Sequence, residues 1–261
     1  MKRVLPVLSI CFLFIAGSYC SVRSNAGSII YFYNPETNVN NFATLKTAFD
    51  TYLVNHGGYY FQPFDSKEKF EAIVREKKDD IYLLSSWHLK ALQQKSVPLK
   101  IALVGTSKGN TMQRKVLSAK KDIANVAMLK NTVVAGAGSE EYIYSVLKQI
   151  LGKEQESLLK DIKILIVPKD IDAIMAVGFG MATAAISAES SLDKLAMINP
   201  NQFRELHGLG FSEEDYLLVA ATLKKPEQQE AQLLEVLRKM SEGAGKENLK
   251  LLGIDGWRAL Q

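Results

Sequence analysis

Three turns in this chain gather the residue types that hold polar molecules: Leu83-Leu84-Ser85-Ser86, Val134-Ala135-Gly136-Ala137-Gly138-Ser139 and Ile186-Ser187-Ala188-Glu189-Ser190-Ser191. Each is a strand-like apolar run that ends in small hydroxyl or glycine residues and then opens a helix. The first amides of a helix lack intrahelical partners and sit at its positive end, so they and the hydroxyls beside them can hold polar or negative atoms. In open α/β folds such ligands bind beyond the carboxyl ends of the strands. One serine there would simply cap its helix. Three such turns, in register across two halves, favour a ligand cleft.

The residues expected to line that cleft are Ser85, Ser86, Ser139 and Tyr142, with Asn34, Thr37, Asp170 and Glu189 from the corresponding strand ends. Tyr31 or Tyr33, together with Trp87, would add aromatic surface suited to an organic or apolar ligand. Glu140 and Glu141 open the helix after Ser139. On the surface each would complement the helix dipole by about 0.3–1 kcal/mol; facing the cleft, either would oppose an anion.

Other chemistries are poorly supported. His56, His88 and His207 have no i, i+4 partner among themselves and no HExxH frame, so no metal and no cofactor is expected. Gly105-Thr106-Ser107-Lys108-Gly109 spells Gly-x-Ser-x-Gly, but a nucleophile elbow leads from strand into helix, and a strand-like alternation follows here. A hairpin turn is expected instead. Gly178-Phe179-Gly180 follows a predicted helix and precedes a strand, the reverse of a dinucleotide fingerprint. No catalytic set can be nominated, and the chain is not expected to be an enzyme.

The elements that must position these residues alternate. Ile29 to Tyr33 reads as a strand, Phe42 to Leu53 as a helix stopped by His56-Gly57-Gly58, and Tyr59 to Phe61 as a short strand. A helix capped by Ser66, a strand over Ile81 to Leu84 and a helix from Trp87 to about Lys95 follow. Leu99 to Val104 and Met112 to Ala119 are predicted to form a hairpin across Gly105 to Asn110. A second series then runs through a strand at Thr132 to Ala135, a helix at Glu140 to Leu151, a strand at Ile162 to Val167, a helix at Ile171 to Val177 and a strand at Ala182 to Ser187. Tyr216 to Leu223 is strand-like, and helices are predicted around Leu233 to Met240 and Glu247 to Leu252. Strands separated by helices imply parallel pairing with both sheet faces covered, and two such series imply two lobes. Lobe one is expected over 27–118 and 204–261, and lobe two over 119–203.

At 261 residues, 47% hydrophobic and 23% charged, the composition is that of an ordinary globular protein. Lys2-Arg3 precedes an apolar run from Val4 to Ala16 that is too short to span a bilayer, the pattern of a secretory signal over residues 1–26. Cleavage could follow Cys20 or Ala26. Tyr19 stands where a lipobox wants a small residue, which argues against lipid anchoring at Cys20. Without this leader the chain has 29 basic against 28 acidic residues, so charge gives no argument for a nucleic-acid partner. Both cysteines, Cys11 and Cys20, leave with the leader, and no disulfide or thiolate site is expected.

The chain resembles the type II periplasmic solute-binding proteins of ABC importers, in the phosphate/phosphonate-binding-like family. The resemblance is carried by Phe64 to Phe70, Asp80 to His88, Val133 to Tyr142, Pro168 to Gly178 and Leu252 to Trp257, in that order and spacing. It implies an α/β fold of two lobes, each with a mixed, mostly parallel sheet, around a cleft that clamps a solute and delivers it to a membrane permease. It also implies a periplasmic location and a monomer. Phosphonate binders of that family carry a Ser-Thr-Ser-Gly turn where this chain has Gly136-Ala137-Gly138-Ser139, and Thr183 stands where members often have an acid.

The loss of donors at Gly136 to Ser139, the adjacent Glu140 and Glu141, and the absence of arginine from the nominated turns with only Lys169 as a nearby cation predict weak or no binding of free phosphate or a simple phosphonate and a larger, less charged organic ligand. A carrier of an apolar molecule such as a lipid and, from another class, a secreted hydrolase remain the alternatives.

Overall fold

Along the first strand, β1 (Ile29–Tyr33), Ile30 and Phe32 turn to one side and Tyr31 to the other, because successive strand side chains point to opposite faces. The computed structural model describes residues 28–36, 41–76 and 80–260, so the expected leader and the candidate Thr37 lie outside the described residues. From β1 the chain continues through α1 (Phe42–Asn55), β2 (Tyr60–Pro63), α2 (Lys67–Arg75), β3 (Ile81–Leu84), α3 (Ser86–Gln94) and β4 (Lys100–Thr106). Side-chain caps set three helix starts: Asn41 accepts from the Thr44 amide, Ser66 from Lys69 and Ser85 from His88.

The second series contains β5 (Met112–Gln113), β6 (Lys115–Lys120), β7 (Val133–Ala137), α4 (Glu140–Leu151), β8 (Lys163–Val167), α5 (Asp170–Gly178), β9 (Ala184–Ala188), α6 (Glu189–Ile198), α7 (Pro200–Glu205) and β10 (Leu206–Phe211). The chain then returns through β11 (Asp215–Tyr216), β12 (Val219–Thr222), α8 (Gln228–Lys239), α9 (Gly245–Leu251) and β13 (Gly256–Ala259).

Two sheets organise these elements. One has the order β13-β4-β12-β3-β1-β2 and the other β10-β6-β9-β7-β8, while β5 and β11 pair with each other. Both large sheets are mixed. Parallel pairing joins β1 to β2 and β3, and β7 to β8 and β9; the remaining pairs are antiparallel, so parallel pairing does not dominate as expected. β6 enters the second sheet from the first and β12 returns from the second, connections that a simple βα repeat would not produce.

Each sheet is covered on both faces. Ile30, Phe32, Phe49, Phe61 and Leu237 pack on one side of the first sheet; Tyr31, Phe70, Tyr82 and Leu89 pack on the other. Val134, Ile143 and Leu147 flank the second sheet on one side and Ala135, Ile174 and Leu195 on the other. At roughly 25 cal/mol per Å² of apolar surface, these four clusters carry most of the folding drive.

The predicted hairpin is not formed. Gly105 to Asn110 does make a tight turn, with Ser107 bridged to Asn110, but β4 pairs with β12 and β13 while β6 pairs with β9 and β10. The two runs belong to different sheets. For the same reason the expected boundary at 118/119 falls inside β6, and that at 203/204 falls before β10 although β10 also joins the second sheet. The strands of the second sheet span 115–211.

Candidate functional site

The site begins at the end of β1. Asn34 Oδ1 accepts the Glu36 amide at 2.9 Å, a local turn that brings the Glu36 side chain back between the lobes. Glu36 is only 8% exposed. Its Oε2 accepts from the Tyr142 hydroxyl of α4 and from Gln113 Nε2 of β5, each at 3.3 Å, and the Ser85 hydroxyl at the start of α3 also bonds its carboxyl.

The second half of the cluster comes from the second sheet and α5. Lys115 Nζ of β6 donates to Asp170 Oδ2 at 2.8 Å, and the Ala188 amide donates to the same oxygen at 2.7 Å. Both ionic side chains are largely buried, at 8% and 16% exposure. Beside them Asp215 of β11 pairs with Lys90 at 2.8 Å.

Burial pushes the Glu36 carboxyl up to about 7, against the pull of Lys115 and the hydrogen bonds from Ser85 and Tyr142. Burial also raises the Tyr142 phenol, reinforced by the Glu36 charge. For Lys115, burial disfavours the ammonium, but Asp170 and Glu36 outweigh it and raise the group. Lys115 is therefore a fixed cation, and Glu36 titrates near neutrality.

A groove of 560 Å³ adjoins this cluster. Asn34, Glu36, Gln113, Lys115 and Asp170 give it a polar side; Phe32, Leu217, Leu252 and Ile254 give it an apolar side, and the exposed Lys169, Lys194 and Lys250 also line it. Among the described residues no group of three or more His, Cys, Asp or Glu side chains could hold a metal ion. None of the helices in the described residues is long and apolar enough to cross a membrane.

Contacts between the lobes close the rest of the seam. The Ser139 amide donates to the Pro35 carbonyl at 2.6 Å, Trp87 Nε1 donates to Ser145 Oγ at 2.8 Å, and Lys67 Nζ donates to Glu141 Oε1 at 2.7 Å. The Trp87 ring meets Tyr142 edge-on, 5.6 Å between centroids.

Of the residues nominated from sequence, Ser85, Tyr142, Asn34 and Asp170 meet in or beside the cluster, and Ser139 and Trp87 lie in the seam. Tyr33 lines a separate 220 Å³ cavity with Ser139 and packs on Phe70 and His88, whereas Tyr31 is core. Three do not join. The Ser86 hydroxyl turns away to the Tyr216 carbonyl at 2.8 Å, Glu189 pairs with Arg114 at 2.7 Å, and Glu140 is exposed at the first turn of α4, where it complements the dipole. Sequence reasoning missed Glu36, Gln113 and Lys115. The only available signal was position, since Glu36 lies between the nominated Asn34 and Thr37. Lys169 is also not the only cation at these turns, because Lys115 is buried among them.

No family model matches this sequence, and no curated protein matches it. Solved structures do match in shape. XAC2383 from Xanthomonas citri, bound to ATP, superposes with a TM-score of 0.61 at 12% identity, over 90% of this chain and 92% of that one. A binding-protein component of an ABC phosphonate transporter from Pseudomonas aeruginosa gives 0.63 at 15% identity, over 90% and 82%. PhnD1 from Prochlorococcus marinus, in complex with methylphosphonate, gives 0.59 at 14% identity, over 90% and 92%. The chain therefore has the two-lobed fold of the type II periplasmic binding proteins. Identity this low establishes the fold alone.

Proposed function

We propose that this protein is an extracytoplasmic solute-binding component of an ABC-type importer, clamping a small organic ligand between its lobes and passing it to a membrane permease. The observation that carries this reading is the convergence, from both sheets and the β5–β11 pair, of Ser85, Gln113, Lys115, Tyr142 and Asp170 around one enclosed position beside an open groove. A cleft that draws side chains from two lobes lets a ligand favour the closed form through contacts the open form lacks.

The similar structures include two named as binding components or phosphonate complexes, which supports transport over catalysis. The Gly105–Gly109 motif supports no hydrolase, since it ends a strand and leads into a turn tied to Asp255. A carrier of an apolar molecule is the second reading, supported by Phe32, Leu217, Leu252 and Ile254 along the groove. A periplasmic location and a monomeric state complete the proposal.

The test is a thermal-shift panel of organic anions, amines, nucleotides and fatty acids, run beside ester and phosphoester turnover assays. A saturable upward shift with one solute class and no turnover is expected. Turnover without a shift would overturn the reading.

A further inference from the structure

The cluster between the lobes is rich in donors aimed at one point. Tyr142, Gln113 and Ser85 direct polar hydrogens there, and Lys115 adds a buried positive charge. Such a set is satisfied by an oxyanion. Here the acceptor is supplied by the chain itself, in the carboxyl of Glu36.

We propose that Glu36 is a built-in specificity residue: its carboxyl fills the place where the anionic end of a small solute would bind and so excludes free phosphate and methylphosphonate. This rests on the reading of the cleft as a solute site.

Three features show that the position is fitted rather than incidental. The Asn34 turn fixes the Glu36 amide, and the Pro35 carbonyl takes the Ser139 amide of the facing helix start. Gly138 lets the two segments meet. With φ at +108°, a Cβ there would lie 2.4 Å from the Pro35 oxygen and 3.1 Å from Glu36 Cα. Burial holds the carboxyl near neutrality, up to about 7, which removes much of the cost of enclosing it beside Asp170 and Asp215. A solute that leaves Glu36 in place must use the adjoining groove and offer the carboxyl a donor.

The experiment is calorimetric titration of inorganic phosphate and of methylphosphonate into the wild-type protein, Glu36→Gln, Glu36→Ala and Glu36→Ser, each shown to be folded by its melting transition. Wild type and Glu36→Gln, which keeps the place filled, are expected to show no saturable heat. Glu36→Ala and Glu36→Ser vacate it and should bind at least one anion about tenfold or more tighter than wild type. Wild-type binding within tenfold of the vacated variants would overturn the proposal, as would folded vacated variants that ignore both anions. If wild type meanwhile carries a co-purified solute, the binding-protein reading survives that failure; if it carries none and no variant responds, both fall.

Discussion

The Tyr142 hydroxyl on the second lobe donates to Glu36 Oε2 on the first at 3.3 Å, across 106 residues of sequence. Within the cluster it is a direct side-chain link between the two lobes, and its geometry is that of a modest bond. Tyr142→Phe should therefore cost about 0.5–1.5 kcal/mol in denaturant unfolding. It should also move the Glu36 titration upward, because this bond favours the ionised carboxylate. Carbon-13 NMR of the glutamate carboxyls reads that shift.

Glu36 gives stability an unusual pH dependence. Its folded value of about 7 lies above the ordinary 4.5, so the folded state holds a proton that the unfolded chain has already lost. The contribution is complete below pH 4.5 and is lost as pH rises through about 7, by up to about 3 kcal/mol. Glu71 behaves in the opposite way. Burial would raise it, but hydrogen bonds from His88, Arg75 and Lys95 hold it down to about 2, so its contribution is present above 4.5 and lost as pH falls toward 2. Urea titrations across this range should show a fall between mildly acidic and neutral pH that Glu36→Gln removes and a fall in strong acid that it does not.

Lys115 and Asp170 form the most buried ion pair of the site. Lys115→Met should destabilise the protein by about 3–5 kcal/mol, since it leaves Asp170 enclosed without its cation. The double variant with Asp170→Asn should recover part of that loss, although Asp170 also accepts the Ala188 amide. Chemical denaturation of the four proteins measures the coupling.

Gly138 is where backbone conformation and lobe contact coincide. Gly138→Ala meets both a positive φ and the Pro35 carbonyl, so the closed arrangement should lose at least about 1–3 kcal/mol. The variant can relieve the clash by opening. Small-angle scattering should show a larger radius of gyration than for wild type, with the helix content unchanged by circular dichroism.

Much of the fold was legible because its signals are local. The helix from Glu140 to Leu151 has a Ser139 cap, a clear helical period and a closing Gly152, and it forms over the expected span. Strands β1 and β3 are uninterrupted apolar runs with buried partners on both sides. The failures are non-local. Alternation identifies β4 and β6 as strands but carries no information about which sheet each joins. β10 contains Gly208 and Gly210 and β13 is four residues long with an exposed Arg258, so neither has the apolar pattern of a strand. The same reasoning explains the site. Ser85 and Tyr142 stood out by their place at helix starts, whereas Glu36 and Lys115 are single charged residues 79 positions apart whose meeting is decided by topology alone.

The claim that the cleft holds a solute is tested most directly by native mass spectrometry of the protein purified, without denaturation, from its own cell. The account predicts an added mass of a few hundred daltons on a folded monomer, of a size that a 560 Å³ groove can take, released on unfolding and reduced in Lys115→Met. A bare chain mass in every charge state, with the same result after incubation in an extract of that cell, would contradict it.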